Sequence, residues 1–219
     1  MTKHLERQIE QLKKKIVFVG SMVEAAIANA VAALMNRDEA IARKVLEEDA
    51  EIDRMEVDVE EDCLKILALY QPVAVDLRFV VAGIKINNDL ERMGDLAKNI
   101  AKRVLFLARA DRVDVPVDFR AMAVRAQDMV KRSLDALVNA DASLAHQVRQ
   151  DDDELDAMRR AIHEKIRQAI RASPDQTETL MKLYSVAKHL ERLGDMATNV
   201  AEDVIYMVQG DIVRHQDED

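Results

Sequence analysis

The chain carries the same segment twice, and this repeat limits its fold more than any other feature. Residues 88–101 and 188–201 are identical at eight of fourteen positions, and both contain Leu-Glu-Arg, one apolar residue and then Gly-Asp. A second pair of matching segments, 49–53 and 152–156, is offset by 103 residues instead of 100. We therefore expect two copies of one structural unit, related by a pseudo-twofold axis.

Each unit is predicted to be a bundle of three helices. The chain has only 5 Gly, 3 Pro and 3% aromatic residues, so it contains few of the residues that favour strands and tight turns. Apolar residues recur instead at the three- and four-residue spacing of amphipathic helices. The sequence thus predicts an all-α fold of two tandem three-helix bundles, with a first domain at 1–110, a second at 117–210 and an acidic tail at 211–219.

Breaks in the apolar pattern set the expected helix limits. The second helix should begin after Asp38, which can cap it, and end near Tyr70, because Gln71-Pro72 stops it. The corresponding helix of the second unit is expected to run unbroken from a turn at 139–141 to about Ala172. The predicted linker between the units is 110–118.

Charge and cysteine content argue against several classes of partner. With 41 acidic and 32 basic residues, the net charge of -9 repels nucleic acid and anionic lipid unless positive charge is segregated. The longest basic run is Lys13-Lys14-Lys15. A single cysteine, Cys63, excludes an internal disulfide framework and is interpreted as a small core residue of a protein in a reducing compartment.

The apolar stretch from Ile16 to Met35 follows three lysines and could be mistaken for a signal or membrane segment. Its apolar residues keep the spacing of one amphipathic helix that starts well before the lysines. Glu24 would also lie near the membrane centre, where an acid costs roughly 2.5 to 3.5 kcal/mol. We expect a soluble, cytoplasmic chain with no direct membrane insertion.

Acidic residues recur as pairs four positions apart, which places both carboxylates on one helix face. Like charges at this spacing destabilise a helix by a few tenths of a kcal/mol unless a cation lies between them. A single pair would be interpreted as a solvated surface, but two kinds of pair recur at matching places in both units. The pairs are Asp49 with Asp53, Glu91 with Asp95, Asp152 with Asp156, and Glu191 with Asp195.

Helical geometry groups these acids away from the core. In the repeated segment, an apolar stripe (Met93, Ala97, Ile100, Val104, Leu107) lies nearly opposite an arc of oxygen-bearing side chains (Asn88, Glu91, Asp95, Asn99). The second unit repeats the arc with Glu191, Asp195, Asn199 and either Glu202 or Asp203. On the second helix, Asp49, Asp53, Glu56 and Glu60 flank the apolar stripe. Two adjacent helices in each unit could therefore present converging carboxylates.

Carboxylate and amide oxygens favour hard ions over structural zinc. The eight paired acids are therefore predicted metal ligands for iron, manganese, magnesium or calcium, in sites that could hold more than one ion and accept an oxyanion such as phosphate. His189 is a further candidate ligand. Gly94 and Gly194 lie in mid-helix and indicate either close helix packing or room for a ligand, whereas Arg92 and Arg192 are expected to pair with neighbouring carboxylates.

Motifs of several enzyme classes are absent from the sequence. No histidine follows a glutamate by three positions, as the helical di-iron enzymes require. The chain also lacks a Gly-rich phosphate loop, a catalytic triad pattern and a CxxC motif. We therefore predict that it is not an enzyme, with a carboxylate-metal enzyme, a metal store and a purely structural module as alternatives.

Several segments together resemble the PhoU family of phosphate-transport regulators. They are 20–24 (GSMVE), 71–78 (QPVAVDLR), 90–95 (LERMGD), 190–195 (LERLGD) and 204–206 (VIY). The resemblance implies two three-helix bundles, and multinuclear metal clusters on the four acid pairs. It further implies a negative regulator of phosphate uptake and starvation signalling, a homodimer whose partners are the ATPase subunit of the phosphate ABC transporter and a phosphate-sensing histidine kinase.

Overall fold

A computed structural model describes residues 3–113 and 117–213, and these residues confirm the all-α prediction. They form seven α-helices, together with a single 3-10 turn at Pro174–Gln176. The helices are α1 (Lys3–Asn36), α2 (Glu39–Tyr70), α3 (Ala74–Leu107), α4 (Phe119–Asn139), α5 (Ala142–Gln150), α6 (Asp152–Ala172) and α7 (Thr177–Gln209).

Helices α1, α2 and α3 pack against one another as the first bundle. Asp38 begins α2 as its N-cap, because its carboxylate accepts hydrogen bonds from the backbone N–H groups of Ala40 and Ile41 at 2.8 and 3.0 Å. Gln71 ends α2 in the left-handed conformation (φ 47°), immediately before Pro72. These are the limits that the sequence predicts for the second helix.

The second bundle repeats this order with one difference. The predicted single helix from 141 to 172 is wrong: it is divided at Asp151 into α5 and α6. Arg125 and Arg132 of α4 both bind the Asp151 carboxylate, Arg125 at 2.7 Å. Their counterparts in the first unit, Met22 and Asn29, carry no charge. The arginine pair thus holds Asp151 against α4 at the point where α5 ends and α6 begins.

The two bundles meet along α3 and α7 and share a hydrophobic core. Gly20 of α1 lets Leu134 of α4 approach so closely that an added Cβ would lie 3.1 Å from Leu134 Cδ2. Polar contacts join the units as well, including Arg103 Nε to Ser185 Oγ at 3.1 Å. The domain limits at 1–110 and 117–210 stay predictions, and residues 114–116 and most of the acidic tail lie outside the described residues.

Helix α1 is long and apolar enough to cross a membrane by length and composition alone. Half of its most apolar window is buried inside the protein. Val19, Val23 and Ala30 have less than one per cent of their surface exposed, because they pack against the other helices. These contacts are those of a core helix. Cys63 is fully buried on α2, as expected for a core residue, and burial raises the pKa of its thiol to about 12.

Candidate metal centres

The first carboxylate cluster lies where α2 and α3 pack together. It brings together all four acids that the sequence predicts for the first unit: Asp49, Asp53, Glu91 and Asp95. Burial and then repulsion from Asp95 and Asp53 raise the pKa of Glu91, and burial together with Asp49 raises the pKa of Asp53. The carboxylates are therefore close enough to resist each other's ionisation.

A lysine of α3 neutralises part of this charge. The Lys98 ammonium binds the Asp49 carboxylate and lies 3.5 Å from Asp95 Oδ1. Asp49 is buried, with 7% of its side chain exposed, so the ammonium is its main source of charge compensation. The hydrogen bond to Asp49 raises the pKa of Lys98, which keeps the ammonium charged.

The second cluster lies between α6 and α7. It contains the other four predicted ligands: Asp152, Asp156, Glu191 and Asp195. Burial, followed by repulsion from Glu191 and Asp152, raises the pKa of Asp195 to about 6. Burial is also the largest cause of the raised pKa of Asp152 and of Glu191.

One arginine reaches into the second cluster. Arg159 Nε lies 3.0 Å from Glu191 Oε1, in a partly buried position. At the edge of the cluster, Arg160 pairs with Asp156 at 2.9 Å. No ion pair to Asp152 or Asp195 is found among the described residues. The second cluster thus has two basic partners, each on a single acid, whereas one lysine lies against two acids of the first cluster.

A groove of about 350 Å³ separates the two clusters. It lies between α3 and α7, and matching residues of the two units line it across the pseudo-twofold. The lining is Arg92, Asp95, Leu96 and Asn99 from α3, with Arg192, Asp195 and Met196 from α7. One ligand of each cluster, Asp95 or Asp195, therefore faces a shared polar space.

The donor atoms suit a hard cation, because all eight predicted ligands are carboxylates. Within residues 3–113 and 117–213, however, no three Asp, Glu, His or Cys side chains are arranged to hold a metal ion together. Lys98 and Arg159 lie against carboxylates of the two clusters. A bound metal would thus have to draw the acids together in place of these cations. The metal assignment of the eight acids stays a prediction.

Both mid-helix glycines serve close packing of helices. A Cβ on Gly94 would lie 3.3 Å from Ile52 Cδ1, and a Cβ on Gly194 would lie 2.4 Å from Leu155 Cδ2. Gly194 also borders the second cluster, since Asp152 Oδ1 would lie 3.5 Å from the same Cβ. Of the two explanations that the sequence leaves open, the structure supports close helix approach.

Other candidate residues lie outside the clusters. His189 is buried between α3 and α7, where its Nε2 lies 3.2 Å from Ser185 Oγ, and burial lowers its pKa to about 4. Asp203 is buried and pairs with Lys85 at 3.4 Å, whereas Glu202 pairs with Arg149 at 3.6 Å.

The expected pairing of Arg92 with a carboxylate is found, but with Asp89 at 3.7 Å and not with a cluster acid. Arg192 is exposed along the groove. Its charge lowers the pKa of Asp195, opposing the larger effect of burial.

Lys98 and Arg159 are the cluster residues that sequence reasoning missed. A signal for each was present, because both break the repeat: Lys98 corresponds to Thr198, and Arg159 corresponds to Glu56. A charged residue that differs between two copies of a site is a sign that the copies are not equivalent.

A family comparison accounts for the repeat. A model described as PhoU domain matches the chain twice, over residues 16–104 and 119–204. The chain belongs to the PhoU family. The two matches end within α3 and α7, just beyond the acids of each cluster, so each family domain contributes one cluster.

Relatives and solved structures agree with this membership. Proteins named phosphate-specific transport system accessory protein PhoU homolog are 36% identical in Aquifex aeolicus and 34% identical in Pseudomonas aeruginosa. These alignments cover 97% and 98% of this chain, and 96% and 91% of the relatives.

Two crystal structures of family members have the same fold. PhoU from Pseudomonas aeruginosa matches with a TM-score of 0.90 at 33% identity, covering 94% of this chain and 99% of that one. The phosphate transport system regulatory protein PhoU from Streptococcus pneumoniae matches with a TM-score of 0.86 at 27% identity, covering 95% and 99%. The tandem bundle predicted from the repeat is therefore the family fold.

Proposed function

We propose that this chain is a metal-binding accessory protein of phosphate-specific transport, which restrains phosphate uptake and starvation signalling when phosphate is plentiful. One observation carries the proposal: in a chain of the PhoU family, eight carboxylates gather into two matching clusters at equivalent helix pairs. The names of the relatives supply the transport system.

The electrostatics of the clusters support a bound cation. Repulsion among the acids helps to raise the pKa of Glu91, Asp53 and Asp195, so ionising them in the folded protein costs free energy. A divalent cation would offset this cost and would draw carboxylates of two helices to one point. Asp49, Asp53, Glu91 and Asp95 would hold it in the first cluster, and Asp152, Asp156, Glu191 and Asp195 in the second. Iron, manganese and magnesium all suit these oxygen donors.

The proposed partners are the ATPase subunit of the phosphate ABC transporter and a phosphate-sensing histidine kinase, which the chain would contact as a cytoplasmic homodimer. A helical protein of this kind acts by binding, so metal occupancy would change its affinity for a partner by changing the charge on the surface around α3 and α7.

Elemental analysis tests the metal sites. Protein purified without an affinity tag is expected to contain iron, manganese or magnesium, and a Glu191→Ala, Asp195→Ala variant should lose the share held by the second cluster. A Glu6→Ala, Glu10→Ala variant is the matched control, because it removes an exposed i,i+4 acid pair from α1. Equal metal content in all three proteins would contradict the assignment.

A phosphate-responsive reporter tests the regulatory role. Cells that lack this chain are expected to express the reporter in high phosphate, and the wild-type chain should restore repression. Expression that stays repressed in high phosphate without the chain would count against the proposal. If the Glu191→Ala, Asp195→Ala variant restores repression as well as the wild-type chain does, then regulation does not require metal bound at the second cluster.

A further inference from the structure

The two carboxylate clusters differ in charge although their acids match position by position. Lys98 of α3 corresponds to Thr198 of α7, and Glu56 of α2 corresponds to Arg159 of α6. Each cluster has one internal cation, which comes from a different helix in each unit, and the first cluster has Glu56 as a further acid near Glu91. This exchange makes the two sites chemically unequal.

In the first cluster the internal cation stands between the predicted ligands of both helices. Lys98 Nζ binds the Asp49 carboxylate of α2 and lies 3.5 Å from Asp95 Oδ1 of α3. The Lys98 side chain is 28% exposed and thus held largely inside the protein. A metal ion that joined Asp49 to Asp95 would have to take the place of this ammonium, because the two positive charges repel each other.

In the second cluster the internal cation lies to one side. Arg159 pairs with Glu191 alone, through Nε at 3.0 Å, and no other ion pair of Arg159 is found in the described part of the chain. Two further basic groups are more exposed: Arg160 pairs with Asp156 at 2.9 Å, and the charge of Arg192 lowers the pKa of Asp195. Within the part of the chain that the structure describes, no ion pair lies between Asp152 of α6 and Asp195 of α7.

We propose that Lys98 is a built-in competitor for metal, so that a divalent cation fills the second cluster first and enters the first cluster only by displacing the Lys98 ammonium. This inference rests on the metal sites proposed above. It predicts two-step loading, in which the first cluster responds to a higher range of metal concentration than the second.

Manganese titration of metal-stripped protein by isothermal calorimetry tests the proposal, with each cluster isolated in turn. A Glu191→Gln, Asp195→Asn background leaves the first cluster, and a Glu91→Gln, Asp95→Asn background leaves the second. The isolated first cluster is expected to bind Mn²⁺ about tenfold more weakly or worse. Adding Lys98→Met should strengthen its binding by a similar factor, because the substitution keeps the apolar stem and removes the charge.

The reciprocal substitution gives an independent measurement. Thr198→Lys in the isolated second cluster should weaken Mn²⁺ binding by about tenfold, since it introduces the ammonium that the first cluster already has. Lys102→Met is the control: Lys102 is exposed one turn beyond Lys98 on α3 and has no ion pair among the described residues, so its loss should change neither affinity.

The outcomes separate this inference from the proposed function. Equal affinities of the two isolated clusters, unchanged by Lys98→Met, would overturn the role of Lys98 and leave the metal sites intact. Failure of wild-type protein to bind Mn²⁺ in either cluster would overturn the metal sites themselves. If Lys98→Met does not fold by circular dichroism, an unchanged affinity in folded Thr198→Lys protein would still contradict the inference.

Discussion

Asp195 gives the metal-free protein a specific dependence of stability on pH. Its pKa of about 6 in the folded state lies above the ordinary 3.8, so the folded state holds the proton more tightly than the unfolded state. Proton binding by Asp195 therefore stabilises the folded state. This part of the free energy of unfolding is fully present below about pH 4 and is lost as the pH rises through 6. Asp195→Asn cannot ionise, so it is expected to be more stable than wild type at pH 7.5 by about 1 to 2 kcal/mol.

Urea unfolding at pH 7.5 and pH 4.5, with chelator present, measures this difference. The advantage of Asp195→Asn should shrink at the lower pH, where the wild-type carboxyl is protonated. Asp135→Asn, at an exposed position on α4, is the charge-matched control and should show no such dependence. A gain of equal size at both pH values would rule out ionisation of Asp195 as the cause.

At the scale of single residues, the sequence predicts the acids and misses their counter-ions. Helical spacing shows which carboxylates share a face, and for that reason Glu91 and Asp95 could be grouped before the structure was known. It does not show what reaches that face from a neighbouring helix. Arg159 of α6 meets Glu191 of α7 only because two helices pack at a particular rotation about their axes, and one sequence contains no record of that rotation.

Helix packing predicts that the two mid-helix glycines respond differently to substitution. An added Cβ gains roughly 1 kcal/mol of helix propensity at either site. At Gly194 it would overlap buried Leu155, 2.4 Å away, whereas at Gly94 it would lie 3.3 Å from Ile52. Overlap in a packed core costs about 1 to 3 kcal/mol. Gly194→Ala is therefore expected to destabilise α7 against α6, while Gly94→Ala stays within about 1 kcal/mol of wild type.

Thermal unfolding of the two alanine variants measures the difference, and a Gly194→Ala, Leu155→Ala double variant is the control for overlap. The double variant should be less destabilised than the sum of the two single changes, because the smaller side chain makes room for the Cβ. Strict additivity would show that Gly194 is needed for some reason other than contact with Leu155.

Helix limits were predictable where a local signal exists, as at Asp38 and at Gln71-Pro72. Neither Gly nor Pro marks the division between α5 and α6, and the signal present there is the acidic run at 151–154, which is typical of a helix start. Two arginines of α4 also bind Asp151 at this point, and helical spacing on one segment does not show such partners. The first unit lacks these arginines, and α2 runs unbroken through the matching residues.

This difference between the copies predicts a difference in hydrogen exchange. The Leu155 amide reaches the Asp151 carbonyl over 3.5 Å, which is long for a helical hydrogen bond. Amides at 152–155 are therefore expected to exchange at least tenfold faster than those at 49–52, their counterparts in the unbroken α2. Amide exchange followed by NMR measures both segments in one molecule. Equal protection would show that α5 and α6 behave as a single helix in solution.

At the scale of the whole molecule, the packing between the units predicts that both bundles unfold together. Residues of both units line a small void of about 10 Å³: Ile16, Gly83 and Ile86 from the first, with Leu137 and Met207 from the second. Separation of the bundles would expose this apolar surface to water, which costs about 25 cal/mol for each Å² exposed. A fragment of residues 1–110 is accordingly expected to lose cooperative folding.

Because the chain has no tryptophan, a single reporter can be placed in either unit. Tyr70→Trp reports on the first bundle and Tyr184→Trp on the second, and both positions are only partly buried. Urea midpoints from the two fluorescence signals should coincide with the midpoint from far-ultraviolet circular dichroism. Leu134→Ala, which removes the contact with Gly20, should lower all three midpoints together. A shift confined to the Tyr184→Trp signal would mean that the second bundle unfolds independently, and that the shared core between α1 and α4 does not couple the two units.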